Sequence, residues 1–105
     1  MKSIGCHNYF VYIITNLNKT VLYTGVTNNL ENRLLEHKTD SETKKCSFAG
    51  RYSCFYLLYF EHHSMIEYAI EREKQIKGWS RKKKEEMITN FNPEWKFLNK
   101  EIKEI

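Results

Sequence analysis

The sequence is poor in residues that mark linkers, staples or membrane spans. One proline and four glycines in 105 residues leave no Pro/Gly-rich hinge between separate modules. The three cysteines, Cys6, Cys46 and Cys54, are odd in number, widely spaced and without a C-x-x-C pair, which argues against a disulfide framework or a paired zinc site. Reduced thiols are the expectation. No apolar run approaches the roughly 20 residues that span a bilayer. The start, Met1 to Cys6, lacks the apolar stretch of a signal peptide. A cytoplasmic protein without membrane contact is expected. Internal repeats and low-complexity segments are also missing.

The chain is instead rich in core-forming residues, 41% hydrophobic and 14% aromatic, enough for one folded domain over 1–105 with its core at about 9–95. The net charge of +4 is modest but unevenly placed. Arg72, Lys74, Lys77, Arg81, Lys82, Lys83 and Lys84 fall in one stretch against a single acid, Glu73. Such a block suits a polyanion, although many charge runs are only solvated helix faces.

Tyr9 to Thr15 and Thr20 to Thr24 are β-branched and aromatic around a polar Asn16 to Lys19, which reads as a hairpin. A loop of those four residues would set Thr15 opposite Thr20 and Tyr12 opposite Tyr23, with both phenols on one sheet face. After Gly25, Thr27, Asn28 or Asn29 can cap a helix carrying Leu30, Leu34 and Leu35. Lys38 to Tyr52, with Lys44, Lys45 and Arg51, reads as an irregular mobile loop, and Cys54 to Phe60 as a buried third strand. Ser64 can cap a second helix to about Lys77, with Ile66, Ala69, Ile70 and Ile76 as its stripe, broken at Gly78. A third helix from Ser80 to about Thr89 ends before Asn92-Pro93, and Trp95, Leu98 and Ile102 repeat at helical spacing beyond it. The predicted class is α+β: a small three-stranded, mainly antiparallel sheet flanked by helices, in the order β-β-α-β-α-α plus a C-terminal helical tail.

Cleaving a phosphodiester needs activated water, a cation near the developing charge and a way to align them. Tyr12 and Tyr23 supply phenols, poor bases at neutral pH unless assisted. Arg33 and His37 stand one helical turn apart beside Leu30 and Leu34. Glu73 falls within an apolar stripe, where a carboxylate must be paired, hydrated or metal-bound. Each also has an ordinary reading: strand tyrosines, an exposed Arg/His pair, and Glu73 as an i,i+4 partner of Lys77.

The combination is more specific than its parts. Phe10-Val11-Tyr12, then Tyr23-Thr24-Gly25, then Arg33 and His37, and finally Glu73 in Arg-Glu-Lys-Gln-Ile-Lys-Gly-Trp resemble the GIY-YIG nuclease superfamily over about Tyr9 to Trp95. The small single-domain members related to the N-terminal nuclease domain of the UvrC-like excinucleases are the most similar. The resemblance implies a divalent-metal-dependent endonuclease, using Mg²⁺ or Mn²⁺, that leaves 5′-phosphate and 3′-hydroxyl ends and serves DNA repair or processing. It implies Tyr12 as general base, Tyr23 as a holder of phosphate and water, and Arg33 as stabiliser of the transition state. His37 would assist Tyr12 or touch the phosphate, and Glu73 would hold the metal.

Phe10 and Thr24 stand where glycine and isoleucine are usual, and Val26 where some relatives carry a lysine. Lys38 or the Lys82 to Lys84 run is a candidate replacement for that cation, and Asn92 a candidate for an asparagine that contributes in some relatives. The nucleic acid, DNA in preference to RNA, is expected along Lys38, Arg72, Lys77, Arg81, Lys82, Lys83 and Lys84, with little sequence specificity because no base-reading module is evident. Two other classes stay open. One is a non-catalytic nucleic-acid binding module with stacking sheet aromatics. The other is a zinc protein using Cys6, His7, His62 and His63.

Overall fold

The computed structural model describes residues 8–43 and 48–104. Three strands, β1 (Tyr9–Thr15), β2 (Leu22–Thr27) and β3 (Tyr56–His63), form an antiparallel sheet in the order β2-β1-β3. The helices are α1 (Leu30–Thr43), a single turn α2 (Phe48–Arg51), α3 (Ile66–Lys77) and α4 (Arg81–Phe91), followed by a 3₁₀ turn at Glu101–Glu104. This is the predicted α+β arrangement with helices on both sheet faces. Lys44, Lys45, Cys46, Cys6 and His7, all named above, lie outside the described residues.

The central strand explains the layering. Val11, Tyr12, Ile13 and Ile14 are all essentially inaccessible, because β1 has neighbours on both edges and both faces. Tyr12 and Ile14 point to a cluster with Leu30 and Leu34 of α1, Cys54, Leu57, Leu98 and Ile102. Val11 and Ile13 point to the other, with Leu58, Tyr59, Ala69, Ile76 and Ile88. A register shift opposite Ile13/Ile14 turns the adjacent Leu58 and Tyr59 to the same face, as a β-bulge does.

The hairpin is longer than expected. Thr15 pairs with Leu22 and Tyr12 with Gly25, so a six-residue loop from Asn16 to Val21 replaces the predicted four. Asn16 is the cause: its side-chain oxygen accepts from the Thr20 and Val21 amides at 2.8 and 3.1 Å, which draws both out of the ladder. Lys19 completes the turn at φ 59°. Because the slip is two residues, Tyr12 and Tyr23 still share a face, diagonally rather than directly opposite.

Other differences concern the helices. Asn29 caps α1, accepting from the Asn32 amide at 3.0 Å. The helix then runs into the expected loop, as far as Thr43, because its inward line is Leu30, Leu34, His37 and Ser41, two of them polar. Leu35, expected inward, is 58% exposed. Helix α3 starts at Ile66 behind Met65 with no side-chain cap, not at Ser64. It buries Ala69 and Ile76, leaving Ile66 and Ile70 partly exposed. Ser80 does cap α4, accepting from the Lys83 amide at 3.2 Å.

The tail is not the expected amphipathic helix. Trp95 adopts a left-handed φ of 54° and joins the α3/α4 side, whereas Leu98 and Ile102 pack on the α1 side. The segment instead seals the outer edge of β3. The Leu98 amide donates to the Leu57 carbonyl at 2.8 Å, and Asn99 accepts from the Leu57 amide and donates to the Phe55 carbonyl. Buried Asn92 donates to the carbonyls of Leu58 and Lys96 at 3.1 and 2.8 Å and accepts from the Lys96 amide. Covering an edge in this way blocks intermolecular strand pairing. Asn92→Ala, which leaves these buried groups unpaired, is expected to lower stability by about 2 kcal/mol, read from urea unfolding, without changing any activity of the distant site.

Candidate active site

Tyr12 enters the site from the middle of the sheet. Its partner across the ladder is Gly25, and a β-carbon at that position would collide with the Tyr12 phenol. The glycine therefore leaves the space in which the ring lies flat over β2. The phenol ends against α1, where Tyr12 Oη stands 2.9 Å from His37 Nε2. The imidazole is edge-on to two tyrosines, its ring centroid 5.9 Å from Tyr12 and 5.6 Å from Tyr23. His37 is 2% exposed and its Nδ1 has no hydrogen-bond partner.

Burial governs the charges here. It pushes the Tyr12 phenol up to about 12, with the Arg33 guanidinium beside it pulling the other way. Burial also pushes His37 down to about 4, and the cation of Arg33 adds to that effect. Both groups are thus neutral at neutral pH. In the tautomer where the phenol donates to Nε2, the imidazole proton sits on Nδ1.

Arg33 lies on the flank of α1, half exposed, and its Nη1 pairs with Glu36 at 2.8 Å. Glu36 was not among the expected residues, although its i,i+3 spacing announces the pair. Glu73 arrives from α3, on the opposite face. Its side chain is 13% exposed and its carboxylate lies 2.6 Å from Lys77 Nζ, as in the ordinary reading of an i,i+4 pair. Lys77 Nζ also stands 5.9 Å from the centroid of the Tyr23 ring, so α3 is tied to the tyrosine face around the edge strand β2. Tyr12, Tyr23, Arg33 and His37 are thus brought together on one sheet face, and Glu73 is connected to them only through Lys77. A cleft of about 610 Å³ beside the start of α1 is lined by Phe10, Asn28, Phe60 and His62 among others, and by none of the five.

The basic block is divided by the fold. Arg72 turns inward, pairing with Glu61 at 2.8 Å and lying over Trp79 at 5.2 Å. Arg81 binds Glu85 and donates to the carbonyls of Thr20 and Lys19 in the hairpin loop. Lys83 sits over Trp79 at 4.4 Å. Lys82 is exposed and Lys84 partly so. Lys38 leaves α1 on the flank away from Arg33, beside Leu35 and Asn99. Of the block, only Lys77 reaches the Glu73 carboxylate.

His62 and His63, the described members of the possible zinc set, have separate partners. His62 contacts Asn8 at 2.7 Å and His63 stands 3.6 Å from Glu61. Among the described residues no three His, Cys, Asp or Glu side chains cluster as metal ligands do. Cys54 is buried and free, its thiol pushed up to about 11 by burial.

Residues 8–86 match the family model described as the GIY-YIG catalytic domain. The chain belongs to the GIY-YIG family. This makes it a member of a nuclease family by descent, and the matched span contains all five of these residues but not Asn92 or the tail. Similar proteins include a UPF0213 protein of Syntrophus aciditrophicus, 38% identical over 85 residues, 81% of this chain and 93% of that protein. A UPF0213 protein of Natronomonas pharaonis is 34% identical over 83 residues, 79% of this chain and 93% of that one. The solution NMR structure of a UPF0213 protein from Bacillus halodurans is 28% identical, covers 78% of this chain and 83% of that one, and superposes with a TM-score of 0.48. Among the described residues of this GIY-YIG chain no helix is long and apolar enough to cross a membrane.

The depressed His37 has a measurable consequence. In the unfolded chain it would protonate near its ordinary value of 6.5, in the folded protein only near 4. Its contribution to stability is therefore full above pH 6.5 and lost as pH falls through that window, by about 3 kcal/mol in all. Urea midpoints compared at pH 7.5 and pH 4 should fall further for the wild type than for His37→Gln.

Proposed function

We propose that this GIY-YIG chain is a divalent-metal-dependent endonuclease that hydrolyses DNA phosphodiesters with little sequence specificity. The observation that carries the reading is the Tyr12–His37 hydrogen bond, set beside Arg33 and linked through Tyr23 and Lys77 to Glu73 at one sheet edge. A phenol held near 12 is not ionised at rest. A concerted relay avoids that difficulty: the attacking water gives its proton to Tyr12 Oη while the phenol proton passes to His37 Nε2. No free phenolate is required, and a nearby phosphate anion would favour the imidazolium that results.

Arg33 is the group for the charge that grows on the phosphorane. Its exposed pair with Glu36 is of the type worth about 0–1 kcal/mol, so a phosphate can take the guanidinium over at little cost. Tyr23, at the solvent side of His37, holds phosphate and water. The donor set suits Mg²⁺ or Mn²⁺: a single half-buried carboxylate, Glu73, which already attracts a cation, matches an ion that keeps most of its waters and shares one or two carboxylates with substrate phosphate. When bound, such an ion would supply Lewis-acid stabilisation of the phosphate. These groups address phosphate and water, not base edges, which is the basis for expecting low sequence preference. A binding-only module would give the Tyr12–His37 couple and the Glu73 carboxylate structural roles alone.

Purified protein should nick supercoiled plasmid with Mg²⁺ or Mn²⁺ and not with EDTA, and Glu73→Ala and Tyr12→Phe should each slow nicking at least about 100-fold. Tyr12 is a principal core residue, 1% exposed, so the folding of any variant there is checked alongside its activity. Tyr12→Phe is the informative change because it keeps the ring and removes only the hydroxyl, at a stability cost of about 1–3 kcal/mol from the unpaired imidazole. Unchanged nicking in both variants would sink the mechanism.

The basic patch makes a separate prediction. Arg72 and Arg81 are occupied by internal partners, so phosphate contacts are assigned to Lys82, Lys83 and Lys84. Neutralising all three should weaken DNA binding alike across sequences and flatten its salt dependence by about 2–3 units of slope. A slope identical to that of the wild type would route the DNA elsewhere.

A further inference from the structure

Lys77 does more than decorate the last turn of α3. Its ammonium stands 2.6 Å from the Glu73 carboxylate, and the glutamate side chain is the less exposed member of the pair, 13% against 49% for Lys77. The same Nζ lies 5.9 Å from the Tyr23 ring. Helix α3 covers the sheet face of Val11, Ile13 and Val26, whereas Tyr23 belongs to the face that packs on α1. Lys77 thus reaches around the free edge of β2 and is the group that touches both halves of the proposed site. Glu73 is its contact partner, and an ammonium and a divalent ion cannot share one carboxylate oxygen without strong repulsion.

We propose that Lys77 is a displaceable counter-ion: a divalent cation arriving at Glu73 expels the Lys77 ammonium, which then turns to the substrate phosphate beside Tyr23. The inference rests on the reading of Glu73 as the metal carboxylate. Before the exchange, Glu73 and Lys77 neutralise each other. Afterwards, the carboxylate carries the ion, the ammonium is free and the site has gained two positive charges, which a phosphodiester can neutralise. Metal and nucleic acid then promote each other's binding, as reciprocal linkage demands. Without either, the Glu73 carboxylate is never left unpaired. The exchange is inexpensive because half of the pair is in water, where i,i+4 ion pairs are weak.

The test is Mn²⁺ binding to the full chain without DNA, measured by calorimetry at low ionic strength, for the wild type and for Lys77→Met, Lys74→Met and Glu73→Gln. Lys77→Met should bind Mn²⁺ about two- to five-fold more tightly. Lys74→Met, which removes the same charge from an exposed position of α3, should gain less. Glu73→Gln should lose the site. In an uncut complex made with Tyr12→Phe, duplex DNA should tighten Mn²⁺ binding, and adding Lys77→Met should reduce that gain. If Glu73→Gln loses the site but Lys77→Met gains no more than Lys74→Met, the exchange is overturned and the metal reading stands. If Glu73→Gln binds Mn²⁺ as the wild type does, the metal reading of Glu73 fails and the exchange with it.

Discussion

A single buried contact, Tyr12 Oη against His37 Nε2, organises the rest of the molecule. The phenol can reach the imidazole only because Gly25 leaves its position across the ladder empty, and only because α1 lies directly over the sheet with His37 on its inward line. Strand, glycine and helix are thus held in mutual register by one hydrogen bond in a dry setting, where an unmade bond costs more than a made one contributes. The same dryness keeps both partners neutral. A buried pair that carries no charge at rest feels any nearby anion strongly, since each new charge acts through a low local dielectric.

The two edges of the sheet are treated differently, and the proposed site lies at only one of them. Tail residues from Asn92 to Asn99 bind the outer edge of β3 through backbone and amide contacts, which stabilises the sheet and removes a pairing hazard. At β2, Arg33 approaches from one face, Glu73 and Lys77 from the other, and Tyr23 stands between them. An edge strand is where groups from opposite faces of a thin sheet can meet, since no neighbouring strand separates them. Charge is apportioned along the same line. Arg72 and Arg81, indistinguishable in sequence from their lysine neighbours, serve as structural ties because a planar guanidinium can satisfy several acceptors at once. Of the lysines, Lys82 stays in water, Lys83 lies over Trp79 and Lys77 pairs with Glu73.

The sequence alone determined the three strands, the three main helices, the α+β class and the GIY-YIG pattern. It did so because these depend on local chemistry: β-branched and aromatic runs in the strands, asparagine and serine caps, and polar side chains placed where an apolar one was due. Even the hairpin misreading was harmless to the site, since a slip of two residues preserves the face of each side chain. Only the tertiary structure decided the true register, through Asn16 folding its amide back onto the loop. It alone also showed that His37 and Ser41 continue the buried line of α1 and that the tail lies flat along β3. The same holds for the division of the basic block into ties and free lysines and for the bridge from Lys77 to Tyr23 around the sheet edge. The physical reason is common to these cases: partners such as Gly25 and Tyr12, Arg81 and the Thr20 carbonyl, or Asn92 and the Leu58 carbonyl are distant in sequence, and no local propensity or periodicity encodes which polar groups will be buried together.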